Sequence, residues 1–325
     1  MFRLHCRFRG VEVHVFAKHE TANFTGSIKD RMALHMIECA YEQGALRPGD
    51  TLVEATSGNT GIAFAAIGRA LGHPVRIYMP DWMSRERELV ISSLGAEIVK
   101  VSKEEGGFLG SIAKADAFAA ERDDVFAPHQ FESAANVAAH RLGTGPEIVQ
   151  QMVSVDERPD AFVAGVGTGG TVMGVGSYLR ALFPDVTVHP LEPASSPTLR
   201  TGTKVGHHRI QGISDEFVPA IVDLSALDDI VDVEDGDAIL MAQRLARDLG
   251  IAVGISSGAN LLGALQIGAR IGDGARVATV FCDSNKKYLS TDLCCEEPVR
   301  DDYGAPHVTF LSCRVLPRAG RVRAD

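Results

Sequence analysis

The chain has 325 residues, enough for about two domains with a large buried core. Hydrophobic residues make up 45% of the chain and charged residues 23%, which is typical of a soluble globular protein, and no apolar run is long enough to cross a bilayer. A formal net charge of -10 argues against a nucleic-acid partner and leaves room only for a local basic pocket that binds a small anion.

Short β-branched runs alternate with longer helical stretches from residue 52 onwards. In the first half, the pattern predicts strands at 52–53, 75–79 and 97–101 and helices at 62–71, 84–94 and 108–121. Ser84 is placed to cap the second of these helices, and Gly95 to end it. Each strand-helix pair is typical of a right-handed βαβ unit.

The same alternation resumes after residue 160. It predicts strands at 161–166, 186–191, 251–254 and 278–282 and helices from the glycine cluster 167–170 to Leu182 and at 238–249. The sequence therefore predicts an α/β fold with two lobes, each a mostly parallel twisted sheet flanked by helices, and a site in the cleft between them. Residues 1–145 would form the smaller N-terminal lobe, with roughly the first 30 residues crossing to the other lobe, and residues 146–325 the larger C-terminal lobe.

The cysteines and the two ends of the chain indicate the compartment. The six cysteines, at positions 6, 39, 282, 294, 295 and 313, lack the spacing of a zinc site, so we expect reduced thiols, no metal and a cytoplasmic location. Residues 1–10 are Arg-rich and lack the apolar core of a signal peptide. The last residues contain Arg314, Arg318, Arg321 and Arg323, which we interpret as a solvated, frayed tail.

Lys29 lies in the segment 23–31, N-F-T-G-S-I-K-D-R, immediately before a predicted amphipathic helix. The positive end of a helix disfavours the charged form of a nearby amine, and a neutral amine is what a Schiff base requires. Lys29 is therefore a candidate catalytic residue. The alternative is a solvated lysine at a turn, paired with Asp30.

Two further segments join a predicted strand to a predicted helix. In the segment 54–61, E-A-T-S-G-N-T-G, successive amides and the Thr and Ser hydroxyls would form a cradle for an anion such as a substrate carboxylate, and Asn59 adds a side-chain donor. An ordinary turn with a Ser or Thr cap explains this segment equally well. In the segment 254–259, G-I-S-S-G-A, Ser256 or Ser257 would in the same way be merely a helix cap.

The segment 165–171, G-V-G-T-G-G-T, also leads from a strand into a helix. Its glycines let the backbone approach a phosphate, whose charge faces the helix N-terminus. No lysine follows the glycines, so this is not a Walker A loop. Gly165, Gly167 and Gly170 partly fit the dinucleotide pattern G-x-G-x-x-G. Because Glu192 lies about twenty residues further on, a nicotinamide oxidoreductase stays open from this segment alone.

In order and spacing, the four segments together resemble the cysteine synthase group of pyridoxal-phosphate (PLP) enzymes, which have fold type II and belong with the tryptophan synthase β family. The family motifs N-P-x-x-S-x-K-D-R, S-G-N-T-G, G-T-G-G-T and G-[IG]-S-[SA]-G correspond to residues 23–31, 57–61, 167–171 and 254–258. Shorter matches at 130–131, 144–147, 192–193, 210–213 and 288–291 extend the resemblance over residues 10–293. It implies that PLP binds in the cleft between the lobes.

The resemblance implies a role for each matching residue. Lys29 would hold the cofactor as a Schiff base and act as the general base. Asn59 would bind the ring hydroxyl of the cofactor, and Ser256 its pyridine nitrogen. The cup for the cofactor phosphate would comprise Gly167, Thr168, Gly169, Gly170 and Thr171. The site for the substrate carboxylate would comprise Thr56, Ser57, Thr60 and Gln130.

The implied activity is β-replacement. A serine cannot hold the pyridine nitrogen protonated as an aspartate would, which favours β-elimination over transamination. An activated serine such as O-acetylserine and sulfide would then give L-cysteine through an enzyme-bound aminoacrylate. The leaving group and nucleophile stay open, because cystathionine β-synthase and O-phosphoserine-dependent synthesis of cysteine or diaminopropionate also fit, as does a PLP-binding pseudoenzyme with a regulatory partner.

Three features depart from the family pattern. The I-G-N-T-P-L segment that usually precedes the first strand is absent, Phe24 replaces the proline of the lysine motif, and the tail from about Cys294 has no counterpart. The resemblance further implies a homodimer and admits a serine acetyltransferase partner whose C-terminus docks in the site. The other partners would be an amino-acid substrate and a sulfide-type nucleophile, with no nucleic acid and no membrane.

Overall fold

The computed structural model describes residues 1–317 of the chain. Within that range the strands are β1 Phe2–Phe8, β2 Val11–His19, β3 Thr51–Ala55, β4 Val75–Pro80, β5 Glu97–Val101, β6 Val125–Phe126, β7 Ala161–Gly165, β8 Thr187–Pro193, β9 Val231–Val233, β10 Ala275–Phe281 and β11 Val308–Val315. The helices are α1 Lys29–Glu42, α2 Asn59–Ala70, α3 Arg85–Ser93, α4 Gly107–Ala120, α5 Ala134–Ala139, α6 Gly145–Val153, α7 Gly170–Leu182, α8 Thr198–Thr201, α9 Asp235–Leu249 and α10 Ile255–Ile271. A π-helical turn, His140–Thr144, joins α5 to α6.

The strands form two sheets. The smaller sheet has the order β5-β4-β3-β6, and all its neighbouring strands are parallel. The larger sheet has the order β11-β1-β2-β10-β7-β8-β9, in which β1 is antiparallel to β2 and β11 and the other pairs are parallel. The predicted α/β fold with mostly parallel sheets is confirmed. Strands β1 and β2 belong to the larger sheet, whereas a lobe boundary at residue 145 stays a prediction.

Strands β3 and β4 of the smaller sheet are buried on both faces, since consecutive side chains, which point to opposite faces, are both buried. Leu52 and Ile77 pack in the apolar cluster formed with α1 and α2. Val53 and Tyr78, one residue further along each strand, pack instead in the cluster that contains Ala115 of α4. Burial on both faces explains why the consecutive residues Leu52–Val53 and Ile77–Tyr78 are all apolar or aromatic.

The larger sheet is covered in the same way. Val163 and Val277 belong to the cluster formed with α9 and α10, whereas Phe162 and Ala278 belong to the cluster formed with α6 and α7. The turn 56–60 follows the carboxyl end of β3 in the smaller sheet, and the turn 167–171 follows the carboxyl end of β7 in the larger sheet. Both turns line the same cleft. Ligands of α/β proteins bind outside the carboxyl ends of parallel strands.

Two local expectations are wrong. Residues 251–254 do not form a strand, because β10 is already flanked by β2 and β7, and Val253 makes only an isolated bridge to Ser284. Ser84 occupies the N-cap position of α3, but its hydroxyl caps no amide and is buried without a hydrogen-bond partner. The remaining predicted elements are confirmed, with ends that differ by a few residues.

The segment after residue 294 is not a frayed tail throughout. Strand β11 pairs with β1, and Arg314 lies opposite Arg3 in this register, so Arg314 is exposed to solvent as predicted but belongs to a strand and not to a frayed tail. The other predicted tail residues, Arg318, Arg321 and Arg323, lie outside the described residues. Among residues 1–317, we find no helix with the length and apolar character needed to span a bilayer.

Candidate active site

The cleft between the two sheets brings together nearly all the predicted site residues. Its lining includes Lys29, Thr56, Ser57, Asn59, Thr60, Gln130, Gly167, Thr168, Gly169, Thr171 and Ser256. Gly170 does not line the cleft, because it is buried in the first turn of α7, where a Cβ atom would collide with Asn136. In the part of the chain that the structure describes, no group of three or more His, Cys, Asp or Glu side chains is placed to hold a metal ion.

Lys29 is the first residue of α1, and the backbone before it is held in place. The amide of Ile28 donates a hydrogen bond to the carbonyl of Cys282 at 2.9 Å. The carboxylate of Asp30 does not pair with Lys29, since it accepts hydrogen bonds from the amide of Thr25 at 2.6 Å and from the Thr25 hydroxyl. The amine of Lys29 is therefore available to the cleft that its side chain lines.

The turn 167–171 has the geometry of an anion cradle. Gly169 is the N-cap of α7 with a φ of 89°, a conformation that favours glycine, and a Cβ atom there would collide with Val222. The first amides of α7 have no acceptor within the helix and carry its positive end towards the cleft. The Thr168 hydroxyl accepts a hydrogen bond from Asn136 Nδ2 at 2.9 Å, which fixes its position. This arrangement fits a phosphate group.

Asn59 is held by two charged side chains. Its Nδ2 donates to Asp283 Oδ2 at 2.7 Å, and its Oδ1 accepts from Lys287 Nζ at 2.8 Å. Asp283 is fully buried and also accepts from the Tyr288 hydroxyl at 2.6 Å. Burial lowers the pKa of Lys287, and the nearby Asp283 opposes this. An amide group has two donor hydrogens, so Asn59 can still offer one to an oxygen in the cleft.

Gln130 is fixed by hydrogen bonds on every side. Its Oε1 accepts from the Thr60 hydroxyl at 2.7 Å, and its Nε2 donates to the carbonyl of Ala55 at 2.9 Å. Its own amide donates to Glu54 at 3.2 Å, and its carbonyl accepts from Asn136 at 2.9 Å. Burial raises the pKa of Glu54 to about 8, against the lowering effect of its two backbone hydrogen bonds. The predicted carboxylate site is thus rigid before any substrate binds.

Ser256 lies in the first turn of α10, at the bottom of the cleft. The neighbouring Ser257 hydroxyl accepts a hydrogen bond from the amide of Cys282 at 2.9 Å, which ties the helix start to the strand that ends beside Lys29. Burial raises the pKa of the Cys282 thiol to about 12, so it is a neutral neighbour of Ser256. The Ser256 hydroxyl is uncharged as well, so a ring nitrogen bound here would have a neutral hydrogen-bond partner.

Sequence reasoning missed Asp215, a half-buried carboxylate that lines the same cleft as Lys29. Burial raises the pKa of Asp215 to about 6, although the positive charges of Lys29 and Lys204 lower it. The signal was present in the sequence. The acidic pair at 215–216 follows the matched segment 210–213 by one residue, in a stretch that is otherwise mostly uncharged.

Arg87 was also missed. It is buried, with 3% of its surface exposed, and it lines the cleft beside the turn 56–60 of the predicted carboxylate site, called the carboxylate turn below. Its guanidinium lies 5.0 Å from the centre of the Tyr288 ring, and its Nη1 is 3.5 Å from the carbonyl of Ser57. A Cβ atom on Gly58 would collide with this side chain, so the glycine is needed for the close approach.

The groups of this cleft fit PLP. A lysine amine for the aldehyde, a glycine-rich cradle for the phosphate, a neutral hydroxyl for the pyridine nitrogen and an amide donor for the ring oxygen lie in one cavity. Fold and site together define the class of fold type II PLP enzymes.

Comparison with known proteins identifies the family. The model of the family described as "Pyridoxal-phosphate dependent enzyme" matches residues 1–283, and the chain belongs to this family. It is 42% identical over 279 residues to the probable cysteine synthase of Bacillus subtilis, covering 86% of this chain and 89% of that protein. The predicted family and cofactor are confirmed, and the nicotinamide oxidoreductase is excluded.

Solved structures agree with this assignment. A hydrogen sulfide-producing enzyme from Fusobacterium nucleatum is 53% identical, with a TM-score of 0.95 over 98% of this chain and 95% of its own. A cysteine synthase from Entamoeba histolytica is 33% identical, with a TM-score of 0.82 over 92% of this chain and 87% of its own. The protein is a PLP-dependent enzyme that is similar to cysteine synthases.

Proposed function

We propose that this protein catalyses β-replacement on an activated serine, with O-acetylserine and sulfide giving L-cysteine. The observation that carries the proposal is the meeting, in one cleft, of Lys29 with a phosphate cradle on one side and a rigid carboxylate turn on the other. The similarity to cysteine synthases supports the same reaction.

Each part of the cleft has a separate task in the reaction. When bound, PLP supplies the electron sink that acidifies the α-carbon of the substrate. The amides of 167–171 bind the cofactor phosphate, while Thr56, Ser57, Thr60 and Gln130 bind the substrate carboxylate. Lys29 holds the cofactor and, once displaced by the substrate amine, removes the α-proton and later returns it. The neutral hydroxyl of Ser256 leaves the sink weak, which favours loss of the β-substituent.

Asp215 adds a second proton-transfer group. Its pKa of about 6 makes it mostly ionised at neutral pH and able to accept a proton from the nucleophile as the new bond to the β-carbon forms. In the opposite direction, the protonated carboxyl donates to the departing group. Lys29 and Asp215 then serve different atoms of the substrate, the α-carbon and the β-substituent.

Asp215 also favours a second candidate function, the release of sulfide from cysteine. In that reaction Lys29 removes the α-proton, the bond between the β-carbon and sulfur breaks with its electron pair going to sulfur, and the protonated carboxyl of Asp215 donates a proton so that the sulfur leaves as hydrogen sulfide. The similarity to the sulfide-producing enzyme of Fusobacterium nucleatum supports this candidate.

The expected partners belong to the same proposal. A homodimer is supported by two exposed apolar side chains, Phe24 and Leu142, whose chain neighbours Asn23 and Gly143 lie next to the buried ion pair Arg31–Glu20. Light scattering on the purified protein tests it, and a monomer at micromolar concentration would contradict it. A serine acetyltransferase docked in the cleft and a cytoplasmic location complete the proposal, and competition between the acetyltransferase C-terminal peptide and O-acetylserine tests the first of these.

The visible spectrum of the purified holoenzyme tests the reaction. We expect an absorbance change on adding O-acetylserine that reverses on adding sulfide, together with the appearance of L-cysteine. A spectrum unmoved by O-acetylserine but shifted by L-cysteine, with release of sulfide, would favour the second candidate. A spectrum unmoved by either amino acid would contradict both and leave the PLP-binding pseudoenzyme.

A further inference from the structure

Two buried charged side chains contact Asn59 without lining the cleft themselves. Lys287 is 7% exposed, and Asp283 is fully buried. Lysine and aspartate are almost never fully buried in proteins unless they are paired with an opposite charge. Within residues 1–317, neither of these side chains takes part in a direct ion pair. Their burial beside a cleft residue therefore needs another explanation.

The amide of Asn59 connects the two charges. Lys287 Nζ donates to Asn59 Oδ1 at 2.8 Å, and Asn59 Nδ2 donates to Asp283 Oδ2 at 2.7 Å. Because an ammonium group can only donate and a carboxylate can only accept, the oxygen and the nitrogen of this amide cannot exchange places. Asn59 therefore has one defined orientation, which leaves one amide N–H free.

Further hydrogen bonds hold both charged side chains in place. The Tyr288 hydroxyl donates to Asp283 Oδ2 at 2.6 Å, while Asp283 Oδ1 is buried without a partner. The Ser284 hydroxyl accepts from the amide of Lys286 at 3.3 Å and caps the short helical turn that carries Lys287. In the described part of the chain, Lys287 Nζ makes a single hydrogen bond, and it leads to the cleft through Asn59.

The charges around Lys287 act on it in opposite directions. Burial lowers the pKa of Lys287, and the positive charges of Arg87 and Lys29 lower it further. The carboxylates of Asp283 and Asp30 raise the same pKa. These two carboxylates stabilise the ammonium form, in which Lys287 is the positive end of the chain of hydrogen bonds.

We propose that Lys287 is a positioning residue for the cofactor, because its ammonium group orients and polarises the Asn59 amide and makes the free N–H a strong donor to the ring oxygen. Hydrogen bonds in a chain polarise one another, and a bond from an ionised donor is about twice as strong as a neutral one. A stronger donor stabilises the ionised form of the ring oxygen over its protonated form. This role extends the one proposed for Asn59 and does not depend on which amino acid reacts.

The absorbance of the holoenzyme, recorded without substrate, tests this role. The protonation state of the ring oxygen sets whether the bound cofactor absorbs mainly in the visible or in the near-ultraviolet range. We expect Lys287→Met to lower the ratio of visible to near-ultraviolet absorbance several-fold and to raise Kd for PLP roughly tenfold. Lys286→Met, which changes the exposed neighbour, should keep the wild-type ratio and Kd.

Two further variants separate the charge of Lys287 from its packing. Lys287→Arg keeps a charged donor, and Lys287→Gln keeps a donor without the charge. We expect the absorbance ratio to stay near wild type in the first and to fall in the second, a comparison that remains if Lys287→Met does not fold. Equal ratios in the Arg and Gln variants would refute a role for the charge. So would a loss of cofactor in which the molecules still loaded keep the wild-type ratio, since Lys287 would then only support the loop.

A double-mutant cycle tests whether Lys287 acts through Asn59. Asn59→Ala removes the amide, and we expect it to shift the absorbance ratio in the same direction as Lys287→Gln. Combined with Asn59→Ala, Lys287→Gln should add no further shift, because no amide remains to be polarised. Additive shifts would overturn the proposal. Since no substrate is present, a failure of the reaction with O-acetylserine would leave this result unchanged, so the two outcomes are distinguishable.

Discussion

Two neighbouring regions use polar groups in opposite ways. One is the turn 56–60 with Gln130, which forms the predicted carboxylate site, and the other is the chamber beside the cleft that Trp82, Ser84 and His208 line. Next to the turn 56–60, the side chain and backbone of Gln130 make four hydrogen bonds within the protein, so the proposed carboxylate site is already ordered before a carboxylate binds. In the chamber, the four buried atoms Ser84 Oγ, Arg87 Nε, His208 Nδ1 and Gln211 Oε1 have no hydrogen-bond partner within the described protein. The first arrangement suits the proposed carboxylate site, whereas the second leaves polar groups open to a hydrogen-bonding molecule.

The largest expected effect comes from removing the amine of Lys29 in the cleft. Lys29→Ala should lower kcat/KM for O-acetylserine by roughly 10³-fold or more, because both covalent attachment and α-proton transfer depend on it. Borohydride reduction followed by mass spectrometry should find no cofactor attached to the variant. Lys286→Ala, an exposed lysine outside the cleft, serves as control and should retain both attachment and rate.

The next effect concerns the carboxylate at the junction of cleft and chamber. Asp215→Asn should lower kcat by roughly 10²-fold, the usual scale of a general base. Because the ionised form accepts the proton, wild-type activity should fall as pH drops through about 6, the raised pKa of Asp215. The variant should lack this acidic limb in a pH-rate profile. The same limb in both proteins would rule out Asp215 as the base.

The third prediction concerns Asn136→Ala, which removes a hydrogen-bonding side chain next to the predicted carboxylate site. Asn136 bonds both the carbonyl of Gln130 and the hydroxyl of Thr168, so it ties the carboxylate turn to the phosphate cradle. Its loss leaves a buried carbonyl without a donor, at a cost of about 1–3 kcal/mol. We expect KM for O-acetylserine and Kd for PLP to rise together by roughly tenfold. A rise in only one of them would show that the two sites are not coupled through Asn136.

The last prediction concerns stability and not catalysis, namely a pH dependence that comes from Glu54. Its folded pKa of about 8 lies above the value of 4.5 for an exposed glutamate, so the folded state holds an extra proton between these values. Its contribution is fully present below pH 4.5 and is lost as pH rises to about 8. Glu54→Gln should flatten the fall in Tm over this range. An unchanged slope would mean that Glu54 is ionised in the folded protein.

The glycine-rich and hydroxyl-rich turns of the cleft could be predicted from the sequence because each is formed by consecutive residues. The turns 56–61 and 167–171 need glycines and hydroxyls at fixed spacing, and this requirement is written in consecutive residues. The two sheets followed from alternating strands and helices. The error at 251–254 has the opposite origin, since a short apolar run does not reveal whether a neighbouring strand is free to pair with it.

The chamber could not be predicted from any single segment. Ser84 and Arg87 reach it from α3, and His208 and Asp215 from a loop more than a hundred residues away. Each of these residues is unremarkable alone, because a serine before a helix usually caps it. Only the fold shows that the Ser84 hydroxyl faces a cavity instead of an amide.

The pairing of the sheets also sets an order of events during synthesis. All strands of the smaller sheet come from residues 51–126, whereas β1 and β2 of the larger sheet pair with β11 and β10, which lie beyond residue 274. The smaller sheet can therefore assemble while the ribosome is still adding residues, whereas the β1–β2 pair can join the rest of the larger sheet only once β10 has been made. Lys29 follows directly after those strands, so the residue that begins the chemistry is among the last to reach its place.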